Sequence, residues 1–94
     1  MMENRTLNED LKQDPRGLLK AFGLRPKKRL GQNFLVSSSG LAKVMQAAQL
    51  TGEEQVLEIG AGLGTLSLSL ARSAQYLVVV EIDEDLLPAL SWVL

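Results

Sequence analysis

Apolar residues follow two different rhythms along the chain. Between residues 14 and 50 two stretches carry helix signals; beyond residue 54 apolar residues also gather into short unbroken runs. Asp14-Pro15 reads as a helix N-cap followed by proline at the first helical position, where its missing N–H is not needed. "RGLLKAF" continues that helix to Gly23, a C-cap residue, and Pro26 enforces the stop. The serines at 37 to 39 offer caps for a second helix, in which Leu41, Val44, Met45 and Ala48 occupy the i, i+3, i+4, i+7 positions of one buried face. Thr51-Gly52 is expected to close it. The stretch between the helices, "RPKKRLGQNFLVSSSG", follows neither period and reads as an extended segment and loop. The polar first dozen residues read as a loose chain end.

"QVLEI" (55–59) and "YLVVVEI" (76–82) predict two strands, the second so continuously apolar that a parallel strand covered on both faces is expected. Between them Leu66, Leu68 and Leu70 alternate with Ser67 and Ser69, which taken alone is strand spacing. A crossover between parallel strands needs a helix, however, and Leu66, Leu70 and Ala74 also lie four apart, so a helix with those three on its buried face is predicted. A last helix should begin near Asp83 or Asp85, with Pro88 tolerated in its first turn. Helix, helix, strand, glycine loop, helix, strand, helix is the opening of a doubly wound α/β domain. Two parallel strands do not make an independently stable sheet. The chain also ends on the uncharged "SWVL", so it reads as the N-terminal piece of a longer protein.

Composition narrows the function classes. With 94 residues, 46% apolar and 22% charged, the chain is a soluble globular type too short for two domains. Its longest apolar run, "YLVVV", falls far short of the roughly 20 residues of a membrane span, and the polar start lacks the apolar core of a signal peptide. Cysteine and histidine are both absent, which excludes disulfides and thiolate metal sites and removes the commonest general base. A cytoplasmic protein without a bound metal and without a membrane partner is expected. The net charge of −1 hides an asymmetry: residues 1–29 hold eight cations against four acids, whereas residues 30–94 hold two against seven. Such polarity points to an anionic partner near the N-terminus and a neutral or cationic one further on.

"GAGLG" (60–64) falls at the carboxyl end of the first strand, where ligands bind in open α/β sheets. Glycine there permits positive φ and close approach of backbone to ligand. A dinucleotide fingerprint needs a third glycine where Thr65 stands, and a P-loop needs a lysine, none of which occurs after Lys43. Glu58 lies in the strand before the loop, readable either as a site acid or as a solvated strand-end charge. Glu81 ends the second strand, 21 positions after Gly60, where a carboxylate can accept the hydroxyls of a ribose. S-adenosylmethionine carries that ribose, no phosphate and a positive sulfonium, and suits a lysine-free acidic pocket better than any phosphorylated cofactor does.

"RPKKRLGQNFL" (25–35), "VLEIGAGLGTLSLSLA" (56–71) and "VVVEID" (78–83) together resemble the start of the ribosomal RNA adenine dimethyltransferases. The resemblance runs from about Leu18 to the end, and "LGQNFL" is its specific part. It implies a Rossmann-like class I S-adenosylmethionine-dependent methyltransferase fold with only the first two strands present. Residues 1–36 would form a basic helix and a cofactor-covering segment, and residues 37–94 the start of the methyltransferase domain. The implied reaction is dimethylation of two adjacent adenines near the 3′ end of small-subunit (16S) rRNA, on rRNA or the immature 30S subunit, by a protein that is a monomer when complete. Its cofactor contacts map to Asn33, Leu35, Gly60, Gly62 and Glu81. An amide such as Asn33, which both donates and accepts, suits the ammonium and carboxylate of the methionine end. The motif that holds the target adenine would lie beyond Leu94, so no catalytic residue is assigned and the 94 residues alone are expected to be inactive. Arg25, Lys27, Lys28 and Arg29 are candidate phosphate contacts. The alternative is a small basic RNA-binding module without catalysis.

Overall fold

The computed structural model describes residues 8–32 and 37–94. A helical turn at 8–12 already replaces the loose end expected there. Helix α1 (Pro15–Ala21) starts as the sequence suggests: Asp14 is extended, its carboxylate accepts the Gly17 N–H at 3.1 Å, and Pro15 follows. The segment after it is less irregular than expected, because Lys28–Leu30 winds into one 3₁₀ turn that Gly31 closes in the left-handed region. Helix α2 (Ser38–Ala48) is capped by Ser37, whose hydroxyl accepts from Gly40 N–H at 3.1 Å. It ends not at Thr51-Gly52 but at Gln49, which itself adopts the left-handed cap conformation.

Strands β1 (Gln55–Ile59) and β2 (Tyr76–Val80) pair in parallel, with Gln55 opposite Tyr76 and Ile59 opposite Val80. Helix α3 (Thr65–Ser73) makes the crossover, so the need for a connection between parallel strands overrides the alternating Leu-Ser pattern. After β2, Asp83 caps a 3₁₀ turn (Glu84–Leu86) that runs directly into helix α4 (Leu87–Val93), with Pro88 in its first turn.

The core gathers around the glycine loop rather than along the sheet. Leu18 of α1, Leu63 of the loop, Leu86, and Ala89 and Val93 of α4 are buried together, with Leu11, Leu19, Phe22, Leu24 and Leu68 packed around them. Phe22 and Trp92 add a tilted aromatic contact at 6.2 Å between centroids.

Three expectations about burial need correction. The strands are not covered on both faces: Leu57, Ile59, Val78, Val80 and Ile82 all stand exposed, Ile82 at 80%. Alternation along a strand sends Val56, Glu58, Leu77 and Val79 to the side of α3, and no described element lies on the opposite side. The apolar stripe of α2 is likewise incomplete, with Val44 and Ala48 exposed and no residue fully buried, because the helix has little to pack against. In α3 the buried pair is Ser67 and Leu70, whereas Leu66 and Ala74 are half-buried. The helix therefore presents a serine to the sheet, for a reason that lies in β1.

Candidate functional site

The loop 60–64 is an extension of the strand ladder. The Gly60 and Ala61 N–H groups both donate to Val80 O, at 2.8 and 3.3 Å, so the chain stays in register with β2 beyond the last strand residue. Gly64 N–H then donates to Ala61 O at 3.0 Å, and Gly64 O accepts from Leu68 N–H as the first bond of α3. The apolar side chains of the pentapeptide, Ala61 and Leu63, point into the core, while Gly60 faces outward. All three glycines of the loop have a left-handed φ, and Gly60 and Gly64 differ in what surrounds them. A Cβ on Gly64 (φ +82°) would lie 3.0 Å from Leu90 and 3.1 Å from Val93, whereas one on Gly60 (φ +79°) would meet nothing within 4 Å. Gly64 is therefore small to let α4 approach, whereas Gly60 faces open space and glycine is favoured there by its left-handed φ alone.

That open side is a cleft of about 230 Å³ bounded by Leu30, Gly31, Gln32, Gly60, Gly62, Glu81, Ile82 and Leu86. Glu81, the only charged residue among them, is half-buried. Its Oε1 accepts from Gly62 N–H at 2.7 Å and its Oε2 from Asp83 N–H at 2.9 Å. A carboxylate offers about four acceptor positions. Among the described residues two are filled, both by backbone N–H groups, and these bonds fix the orientation of the carboxylate. Gly60, Gly62 and Glu81 are thus brought together as the sequence pattern suggests, with Glu81 also tied to the loop backbone. Asn33 and Leu35 lie outside the described residues.

Glu58 belongs to a different place. It is buried beneath α3, where Ser67 Oγ donates to its Oε1, and it does not border the cleft. The solvated reading of this acid is overturned by its side of the strand, which is the covered one. Burial pushes its carboxyl above the usual carboxylate range, and the Ser67 hydroxyl only partly opposes that. The one signal in the sequence for this pairing was a serine where the buried face of a crossover helix passes the strand.

The basic stretch divides. Lys28, Arg29 and Arg25 are exposed, but Lys27 Nζ donates to Asp83 Oδ1 at 2.7 Å and Asp85 Oδ2 at 2.6 Å. Those two hydrogen bonds, Asp83 first, hold the Lys27 ammonium above its ordinary pKa. Reciprocally, the Lys27 bond and then that from Gln32 hold the Asp83 carboxyl low. An ammonium already paired with two carboxylates presents little charge to an outside phosphate, so Lys27 separates from the other three candidates. Among the described residues no cluster of acids has metal-binding geometry, and no helix is long and apolar enough to cross a membrane.

A glycine loop continuing a parallel strand, with the acid that follows the next strand bonded to one of its amides, defines an α/β unit with a cleft at its strand ends. The sequence matches the family described as ribosomal RNA adenine dimethylase over residues 23–93, and the chain belongs to that family. Curated relatives called ribosomal RNA small subunit methyltransferase A agree. The protein from Leuconostoc mesenteroides subsp. mesenteroides is 43% identical over 74 residues, covering 79% of this chain and 25% of its own length. That from Listeria monocytogenes serotype 4a is 47% identical over 73 residues (78% and 25%), and that from Pelotomaculum thermopropionicum 44% over 79 residues (84% and 27%). The chain therefore spans about a quarter of the length of these relatives.

Proposed function

We propose that this chain is the cofactor-binding part of an S-adenosylmethionine-dependent enzyme that dimethylates two adjacent adenines of small-subunit rRNA, with a Rossmann-like class I methyltransferase domain beginning near residue 37. The observation that carries the reading is Glu81. It stands at the end of β2, bonded to Gly62 N–H, in a cleft whose other lining residues are neutral. The acceptor positions of its carboxylate suit the two hydroxyls of a ribose, and its charge suits a sulfonium held nearby. The bound cofactor would supply an activated methyl group, so the protein's task is to orient and to exclude water more than to move protons.

Within this chain the roles follow from position. Gly60 and Gly62 let the backbone approach the ligand and Glu81 anchors the ribose, while the family resemblance adds Asn33, suited to the methionine end, and Leu35 as cofactor contacts. Arg25, Lys28 and Arg29 would hold RNA phosphates and orient the substrate without reading its sequence. The reading also favours a cytoplasmic, monomeric protein acting on rRNA or the immature 30S subunit.

The test is calorimetric titration of S-adenosylhomocysteine into the protein expressed from its complete reading frame, beside Glu81→Ala, with circular dichroism to confirm folding. Hydrogen bonds to a charged group are worth roughly 1.5 to 3 kcal/mol, so the variant should bind about 10- to 150-fold more weakly. Leu66→Met, a volume-conserving change in α3, should bind normally. Unchanged affinity in folded Glu81→Ala would remove the ribose anchor and the cofactor assignment with it. Absence of binding by the unsubstituted protein, with RNA binding retained, would favour a basic RNA-binding module.

A further inference from the structure

The wall of the cleft opposite Glu81 is the turn that carries Leu30, Gly31 and Gln32, and apolar packing does not hold it in place. Leu30 is 38% exposed, and Lys28, Arg29 and Gly31 are exposed as well. The turn is held by a polar knot instead. Gln32 Oε1 accepts from Lys27 N–H at 2.7 Å, which closes the turn on itself, while Gln32 Nε2 donates to Asp83 Oδ2 at 2.6 Å. Lys27 Nζ takes the other oxygen of the same carboxylate and reaches Asp85. Asp83 is 3% exposed, and its own N–H donates to Glu81 Oε2. One residue is thus bonded through its side chain to one wall of the cleft and through its backbone to the acid of the other.

We propose that Lys27, Gln32 and Asp83 form a latch that sets the gap between the 27–32 turn and Glu81, and that they are positioning residues for the ligand of the cleft. The proposal rests on the cofactor reading above. Three properties of the knot carry it. Three of its bonds join residues 51 to 58 apart in sequence, so it fixes a tertiary distance as well as the local turn. Both Asp83 side-chain oxygens are engaged with the turn, which fixes its orientation as well as its separation. The knot also stands behind the cleft: Gln32 borders it, but Lys27 and Asp83 do not, so those two can act on a ligand only by holding other residues.

The test separates positioning from plain stabilisation. In the protein expressed from its complete reading frame, S-adenosylhomocysteine affinity and the ligand-free unfolding midpoint are measured for Gln32→Ala, Lys27→Met, Lys27→Arg and Asp14→Ala. Asp14→Ala deletes the cap of α1, away from the cleft, and should lower the midpoint while leaving affinity intact. Gln32→Ala and Lys27→Met should each weaken binding by about tenfold, a typical size for coupling through a positioning element. Lys27→Arg, which keeps the charge and both carboxylate partners in reach, should restore most of it. Wild-type affinity in folded Gln32→Ala and Lys27→Met would overturn the latch and leave the cofactor reading standing. So would an affinity that tracks the midpoint across all four variants. If Gln32→Ala does not fold, the contrast between Lys27→Met and Lys27→Arg decides. Failure of the unsubstituted protein to bind would overturn the cofactor reading itself.

Discussion

Gly60 and Gly64 share a backbone conformation but not a neighbourhood, and adding the same methyl group to each separates a ligand cradle from a packing contact. At either site alanine must occupy the left-handed region, at a cost of about 1–2 kcal/mol. At Gly64 the new Cβ also meets Leu90 at 3.0 Å and Val93 at 3.1 Å, two buried side chains of α4, and Val93 packs in one cluster with Leu63 and Leu86, so both must shift to admit it. Overpacking of this kind adds roughly 1–3 kcal/mol. Gly64→Ala should therefore destabilise by about 2–5 kcal/mol and Gly60→Ala by only about 1–2 kcal/mol. Ligand binding should rank them in the opposite order. The Gly60 methyl projects into open space beside the cleft, so S-adenosylhomocysteine should bind at least about tenfold more weakly, near 1.4 kcal/mol, while folded Gly64→Ala should bind within a few-fold of the parent. Urea titration gives the stabilities and calorimetry the affinities. If Gly60→Ala binds normally, the loop is not a cradle; if Gly64→Ala is no less stable than Gly60→Ala, the tight approach of α4 is not what requires that glycine.

Two further outcomes follow from charge. Because the Glu58 carboxyl is raised by burial, the folded state holds its proton more tightly than the unfolded state, and stability should decline as pH climbs from about 4.3 through the raised value. Glu58→Gln should flatten that part of the profile, measured as unfolding midpoint against pH, and an unchanged slope would mean that Glu58 does not titrate there. Replacing Lys28 and Arg29 with alanine should lower the log-log salt slope of RNA binding by about 0.7 to 0.9 per contact, whereas Lys27→Ala should leave the slope nearly unchanged. A Lys27→Ala effect equal to the other two would show that its ammonium does reach phosphate.

Local chemistry was legible and long-range partnership was not. Asp14, Pro15, Ser37 and Pro88 act through neighbours within a turn or so, and each sits where helix-end rules place it. The strands, the crossover and the grouping of Gly60, Gly62 and Glu81 followed from spacing along one βαβ path. The bond from Gln32 to Asp83 spans 51 positions, and no periodicity announces it. Ser67 on the buried face of α3 escapes a hydrophobic pattern, in which leucines outweigh serines, while a buried carboxylate needs a hydroxyl more than another methyl group. Gln49 took a cap position that glycine was expected to hold three residues later, a boundary that propensity alone places poorly.

The bonds from Gly60 and Ala61 to Val80 O make the cleft continuous with the strand ladder, and so make ligand binding a reader of strand register. A slip of β2 by one residue would turn Glu81 to the other face of the sheet. A slip of two would restore the face but carry the carboxylate about 6–7 Å along the strand, out of reach of Gly62. Only the pairing that sets Ile59 opposite Val80 brings Glu81 within reach of Gly62 N–H at the cleft. At a ligand concentration a hundred times its Kd, that pairing gains about 2.7 kcal/mol over every misaligned one. Whatever fills the cleft would thus favour the register of the sheet that built it.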